Sequence, residues 1–145
     1  DEPFTGFDPK NTELIKDEIL HLKNKGASVM LSTHRMESVE AICDDVVLIN
    51  KAKLVTQGAV NQVRNSLKDN TYELLFKGDL ALSQLSQLEA ISQSQKDELN
   101  QILFKFKGEG NIQMFNNQNI EIKEYREVIP SMQDVFLTLT QTDDE

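Results

Sequence analysis

Asp1-Glu2-Pro3-Phe4-Thr5-Gly6-Phe7-Asp8-Pro9 opens the chain, and Leu31-Ser32-Thr33-His34 follows a helix length later. These two stretches decide how the rest is read. Two adjacent carboxylates at the mouth of a buried strand suit chemistry on phosphates. A hard cation takes carboxylate oxygen, so Asp1 is a candidate ligand for Mg2+, directly or through water. Glu2 beside it can polarise a water for in-line attack. Alternation along a strand would point the two side chains apart. The strand must therefore end here, and Pro3 helps end it. Taken alone, Asp-Glu is common, and its bland reading is two solvated acids. The chain starts at Asp1 without a Met, which predicts a fragment of a longer protein.

Working outward, Asn11 to Lys25 carries Leu14, Ile15, Ile19 and Leu22 at helical spacing, and Gly26 stops it. Ser28 to Ser32 is a short apolar run, predicted to be a strand covered on both faces. Met36 to Cys43 reads as a helix. Val46 to Ile49 reads as a second buried strand, within a hairpin over 45–57. Ala59 to Leu67 is the next helix. This half is α/β.

Lys68-Asp69-Asn70 is a polar break, which predicts domains over 1–70 and 71–145. Residues 1–70 carry 9 basic and 11 acidic groups, and residues 71–145 carry 6 and 13. Thr71 to Lys77 is strand-like. Asp79 is placed to cap a helix with Leu82, Leu85 and Leu88. Ser92 to Asn100 is ambiguous between short helix, loop and weak edge strand. Ile102, Phe104 and Phe106 alternate as a half-buried strand. Asn111 to Gln118 reads as a short helix and Ile120 to Tyr125 as a strand. Pro130 and Ser131 start a last helix with Met132, Val135, Phe136 and Leu139 on one face. That stripe reads as plain core packing. Thr142 to Glu145 reads as an acidic tail.

Composition narrows the function classes. The 145 residues hold 15 basic and 24 acidic side chains, net −9, which argues against a nucleic-acid partner. No apolar run approaches the roughly 20 residues that span a bilayer. Cys43 is the single cysteine and reads as a small core residue rather than a reactive thiol. His21 lies mid-helix among charges and reads as a solvated face residue. Nothing resembles a zinc site or a Ser-His-Asp triad.

Asp1 to Pro9 resembles the Walker B end and D-loop of ATP-binding-cassette (ABC) ATPases, D-E-P-x-[ST]-G-L-D-P. Eight of nine positions fit, with Phe7 where Leu is usual. Leu31-Ser32-Thr33-His34 resembles the family's H-loop, or switch histidine, in order and spacing. His34 to Glu37 and Cys43 to Ile49 look like the stretch that follows it. The resemblance implies ATP and Mg2+ as cofactors, with Asp1 on the metal. Glu2 would be the general base or water-orienting group, and His34 would contact the γ-phosphate and position Glu2. Asp8 would lie in the D-loop, against a second nucleotide-binding subunit. It also implies an α/β remnant of a P-loop NTPase (RecA-like) core. No G-x-x-x-x-G-K-[ST] phosphate cradle occurs. The glutamine loop and signature motif, which precede Walker B in the family, do not occur either. The chain alone is therefore expected to be inactive as an ATPase.

Glu124 to Thr140, with Pro130-Ser131-Met132-Gln133-Asp134-Val135-Phe136-Leu137, resembles the ending of ABC-2-type exporter ATPase subunits of the gliding-motility, sodium-export and drug-export kinds. That resemblance implies a small α+β accessory domain, ferredoxin-like, βαββαβ with a terminal helix. It implies a transmembrane permease partner, a dimer of nucleotide-binding subunits, and a cytoplasmic location, peripheral on the inner face of the cell membrane. Two alternatives stand beside the exporter reading: a non-transport ABC ATPase of the translation-factor or DNA-repair type, and a regulatory or dimerisation module. Strands made to be covered, with no neighbours in the chain, further predict self-association through 1–60.

Overall fold

The computed structural model describes residues 1–82, 85–116 and 118–141. The expected acidic tail at 142–145 lies outside the described residues. The chain divides into two compact units. Unit 1 is Asp1–Leu67 with Pro130–Glu145, and unit 2 is Lys68–Ile129. Unit 1 mixes helices with an antiparallel hairpin, and unit 2 is built on an antiparallel sheet. The last helix, placed by sequence with the second half, joins unit 1.

In unit 1, α1 runs Pro9–Asn24, α2 Met36–Ile42, α3 Val60–Ser66 and α4 Met132–Gln141. Asp8 caps α1: its carboxylate accepts the Asn11 backbone N–H at 3.0 Å, and Pro9 takes the first helical position, where no N–H is needed. Beyond α1, Gly26 turns with φ 90. Strands β1 (Asp45–Asn50) and β2 (Lys53–Ala59) form an antiparallel hairpin. Lys51 and Ala52 both have positive φ in its turn, the mirror-image geometry that matches strand twist. The core joins Met36 and Val39 of α2, Val60 and Val63 of α3, and Met132 and Val135 of α4. The helical stripe read from the sequence is therefore core. Ser131 and Asp134 close a capping box at the start of α4, Ser131 Oγ donating to Asp134 at 2.6 Å.

Two expectations fail in unit 1. Residues 28–32 form no strand, and Met30 is 98% exposed. An extended run becomes a strand only beside a partner. Here the pairing between this run and the chain start is one bond, Glu2 N–H to the Ser32 carbonyl at 2.7 Å. The β1 strand forms, but only Leu48 is buried while Val47 and Ile49 are exposed. It pairs with β2 alone. Unit 1 thus has no parallel strands among the described residues, so the P-loop assignment rests on motifs rather than on a sheet.

Unit 2 is a four-stranded antiparallel sheet of β3 (Thr71–Gly78), β4 (Leu88–Lys96), β5 (Leu99–Phe106) and β6 (Ile120–Glu127), in the order β4-β5-β3-β6. One face carries the core: Leu74, Phe76, Ile102 and Phe104 pack with Leu85, Leu88 and Phe115. The opposite face holds Glu73, 4% exposed. Arg126 Nε reaches it at 2.5 Å, and Gln101 donates to its other oxygen. A buried carboxylate needs such partners.

The helices of the expected βαββαβ are not there among the described residues. After Asp79 the chain makes successive short turns, Leu85 N–H to Leu82 and Leu88 N–H to Leu85. Leu85 and Leu88 reach the core, and the middle of the helix expected after Asp79, residues 83 and 84, lies outside the described residues. The second connection holds one 3-10 turn, Ile112–Phe115, which seats Phe115 edge-on to Phe104. The ambiguous stretch at 92–100 belongs to the β4–β5 hairpin, and Leu88 to Ala90 extend it.

Candidate functional site

Residues 1–8 turn sharply. The Thr5 N–H donates to the Glu2 carbonyl at 3.1 Å, with Pro3 between them, the second place of a β-turn that proline pre-sets. Phe4 is buried and anchors the turn. The Arg35 guanidinium reaches the Phe4 carbonyl at 3.5 Å. Glu2 itself has φ 43, a region that non-glycine residues rarely occupy. With that twist both acids meet one segment. Asp1 accepts from Ser32 Oγ, and Glu2 accepts from the two residues that follow it.

Glu2 and His34 form the centre of the site. One carboxylate oxygen of Glu2 accepts the His34 backbone N–H at 2.8 Å and lies 2.7 Å from His34 Nδ1. The other accepts from Thr33 Oγ1 at 3.2 Å and Thr5 Oγ1 at 3.4 Å. The His34 side-chain hydrogen bond is the main reason the Glu2 carboxyl lies below its ordinary range, with the His34 backbone N–H, the His34 charge and Thr33 adding to it against some desolvation. Glu2 is thus an ionised acceptor at neutral pH. Nδ1 must carry the proton of this contact. Nε2 is then an acceptor in the neutral ring and a donor in the imidazolium. The His34 side chain is 80% exposed, so the ring is open to a ligand.

Asp1 supplies one exposed carboxylate. Among the described residues no three His, Cys, Asp or Glu side chains gather to hold a metal by protein ligands alone. Mg2+ keeps waters and takes one or two carboxylates with substrate phosphates, and Asp1 is the carboxylate here that could serve it. Asp8 stands apart from the three. Its carboxylate is occupied by the Asn11 backbone N–H and side chain, which hold its pKa low. Cys43 is half-buried and burial pushes its thiol up, as a packing residue requires. The hydroxyls of Thr5, Ser32 and Thr33 were not read as site residues from the sequence. Their position directly before His34 was the signal available for two of them.

Uncharacterized ABC transporter ATP-binding protein YhaQ of Bacillus subtilis is 32% identical over 94% of this chain and 46% of its own length. Uncharacterized ABC transporter ATP-binding protein BpOF4_11395 of Alkalihalophilus pseudofirmus is 27% identical over 94% of this chain and 51% of its own. Fluoroquinolones export ATP-binding protein MT2762 of Mycobacterium tuberculosis is 30% identical over 54% of this chain and 26% of its own. The chain thus spans about half the length of the relatives that match nearly all of it. No helix among the described residues is long and apolar enough to cross a membrane. The family described as ATP-binding protein DrrA1-3-like, C-terminal domain, matches residues 58–140, more than half of the chain, and the chain belongs to it.

Proposed function

We propose that this chain is the C-terminal part of an ATP-binding subunit of an ABC exporter, carrying the hydrolytic end of the nucleotide site. The observation that carries the reading is the contact between Glu2 and His34, 2.7 Å apart on segments 32 residues distant in sequence. In this reading Glu2 orients the attacking water and takes its proton, which geometry and ionisation both allow. His34 holds Glu2 in place through its ring and backbone N–H, which leaves Nε2 free to serve the γ-phosphate. Asp1, steadied by Ser32, would hold Mg2+, which would supply charge neutralisation at the phosphates. Asp8 fixes the start of α1, and the loop it ends meets a second nucleotide-binding subunit. Unit 1 is then a remnant of a P-loop NTPase core, and unit 2 a reduced ferredoxin-like accessory domain. The partners are a transmembrane permease and a second ATP-binding subunit, on the cytoplasmic face of the membrane.

The isolated 145 residues should release no phosphate above a Glu2→Gln control, because positioning supplies most of phosphoryl-transfer catalysis and no phosphate cradle is present. In a full-length subunit, Glu2→Gln should abolish turnover and leave ATP bound. Loss of ATP binding in that variant would refute the role given to Glu2.

A further inference from the structure

The two edges of the unit 2 sheet are defended differently. Strand β6 carries Glu121, Lys123, Glu124, Arg126 and Glu127, and charge along an edge discourages pairing with other chains. Strand β4 carries only Glu89 and Lys96, near its two ends, with Ala90 to Gln95 uncharged between them. Every β4 residue after Leu88 is exposed. Among the described residues its backbone pairs with β5 alone.

Pairing with β5 assigns the faces of β4. Ala90 and Gln93 lie opposite Phe104 and Ile102, on the core face. Glu89, Ser92, Ser94 and Lys96 lie opposite Lys105, Leu103, Gln101 and Leu99, on the open face. Ile91 has no partner, because the register shifts there. This bulge puts Glu89 and Lys96 on one face. In a regular strand residues at odd separation face opposite ways.

We propose that β4 is the surface at which a second copy of this chain docks, strand to strand and antiparallel, with the two-fold axis at Gln93. An axis normal to the sheet pairs only residues of the same face. This register obeys that rule throughout. Gln93 meets Gln93 of the second copy, and Ser92 meets its Ser94. With Ile91 passed over at the bulge, Gln95 meets Ala90, and Lys96 meets Glu89. Both ends therefore close on an opposite-charge pair, the arrangement that stabilises cross-strand neighbours. Moving the axis one residue either way sets Lys96 against Ser92 or Gln87 and loses both pairs. The bulge, usually a device that keeps edges apart, here brings the charges into register.

Sedimentation velocity across a micromolar concentration range tests this on the chain itself. The parent should dimerise. Glu89→Lys and Lys96→Glu each set like charges opposite one another at both ends and should weaken association by about tenfold or more. Neither residue has an ion pair within the chain among the described residues. Glu89→Lys places a second cation opposite Lys105, so thermal melting of each variant accompanies the sedimentation. Lys96→Glu, opposite Leu99, carries the test if Glu89→Lys melts early. The double exchange should restore the dimer, and so should an equimolar mixture of the two single variants. A monomeric parent, single variants that associate as tightly as the parent, or exchanges that restore nothing would each overturn the proposal. Association indifferent to both residues would place the contact elsewhere, for instance on residues 1–60. None of these outcomes depends on ATP hydrolysis.

Discussion

In unit 2, Leu74, Ile102, Phe104 and Phe115 are almost fully buried, whereas in unit 1 Leu14, Met30, Val47, Ile49 and Leu54 are each more than half exposed. The two units are therefore held by different means. The sheet of unit 2 carries an aromatic and aliphatic core on one face, where most of its cohesion lies. Tyr72 stacks on Tyr125, and Phe104 meets Phe106 and Phe115 edge-on. Unit 1 has a smaller core of three helices, and polar groups fix the rest. Glu40 accepts the Met132 backbone N–H at 2.6 Å and pairs with Arg64 at 3.2 Å, while Arg64 donates to the Pro130 carbonyl at 2.8 Å. These contacts tie α4 to α2 and α3. The candidate site is an extreme of the same kind, since its parts are joined mainly by hydrogen bonds in exposed or half-buried positions.

The comparison breaks first at its strong end. Phe104→Ala should cost about 3–5 kcal/mol, the usual range for emptying a buried phenyl site. Amide protection should collapse across 71–127 in that variant while α2 and α3 keep theirs. Equal loss in both units would mean that they fold as one.

A smaller effect is expected where unit 1 depends on polar contacts. Glu40→Gln removes the charge that serves Arg64 and the Met132 N–H, and should cost about 1–3 kcal/mol. Hydrogen exchange should quicken in α4 without changing in β3 and β5. Unchanged α4 exchange would mean that the apolar core alone holds that helix.

The smallest effect is the acid dependence of the site. The folded chain holds the Glu2 carboxyl below its ordinary value, chiefly through His34. The contribution is therefore present at neutral pH and lost as the pH falls through that lowered value. The His34 backbone N–H resonance, whose donor bond ends on Glu2, should titrate with it. In Glu2→Gln this titration should vanish. A His34 amide signal flat through the acid range in the parent would contradict the contact.

What was legible in the sequence follows the same division. Strands β3, β5 and β6 show in the alternation of Leu74, Ile102, Phe104 and Ile122, because these residues line the face of the sheet that carries the apolar core. Helices α1 to α4 show through Pro9, Gly26, Pro130 and helical spacing. Residues 28–32 misled because a short apolar run reports a tendency to be covered, while a strand requires a partner beside it. The helix expected after Asp79 falls partly on residues 83 and 84, outside the described residues, while its Leu85 and Leu88 are core as their spacing suggested. Strand β4 was hard to read because Ser-Gln alternation carries no apolar signal on an edge. At the site, Glu2 and His34 were singled out through the resemblance of their two motifs to ABC ATPases, and the structure brings the two side chains into contact. The contributions of Thr5 and Thr33 were not legible, since hydroxyls bind carboxylates in too many settings to mark a site.

The central claim is that Glu2 and His34 act as one unit in ATP hydrolysis. A double-mutant cycle on phosphate release by a full-length subunit tests it most directly, using Glu2→Gln, His34→Ala and both together. Each single variant should lose about a hundredfold or more in turnover, and the double variant should be no slower than the slower single one, because groups that work together are lost together. Losses that multiply in the double variant, or a His34→Ala subunit that keeps parental turnover, would contradict the account.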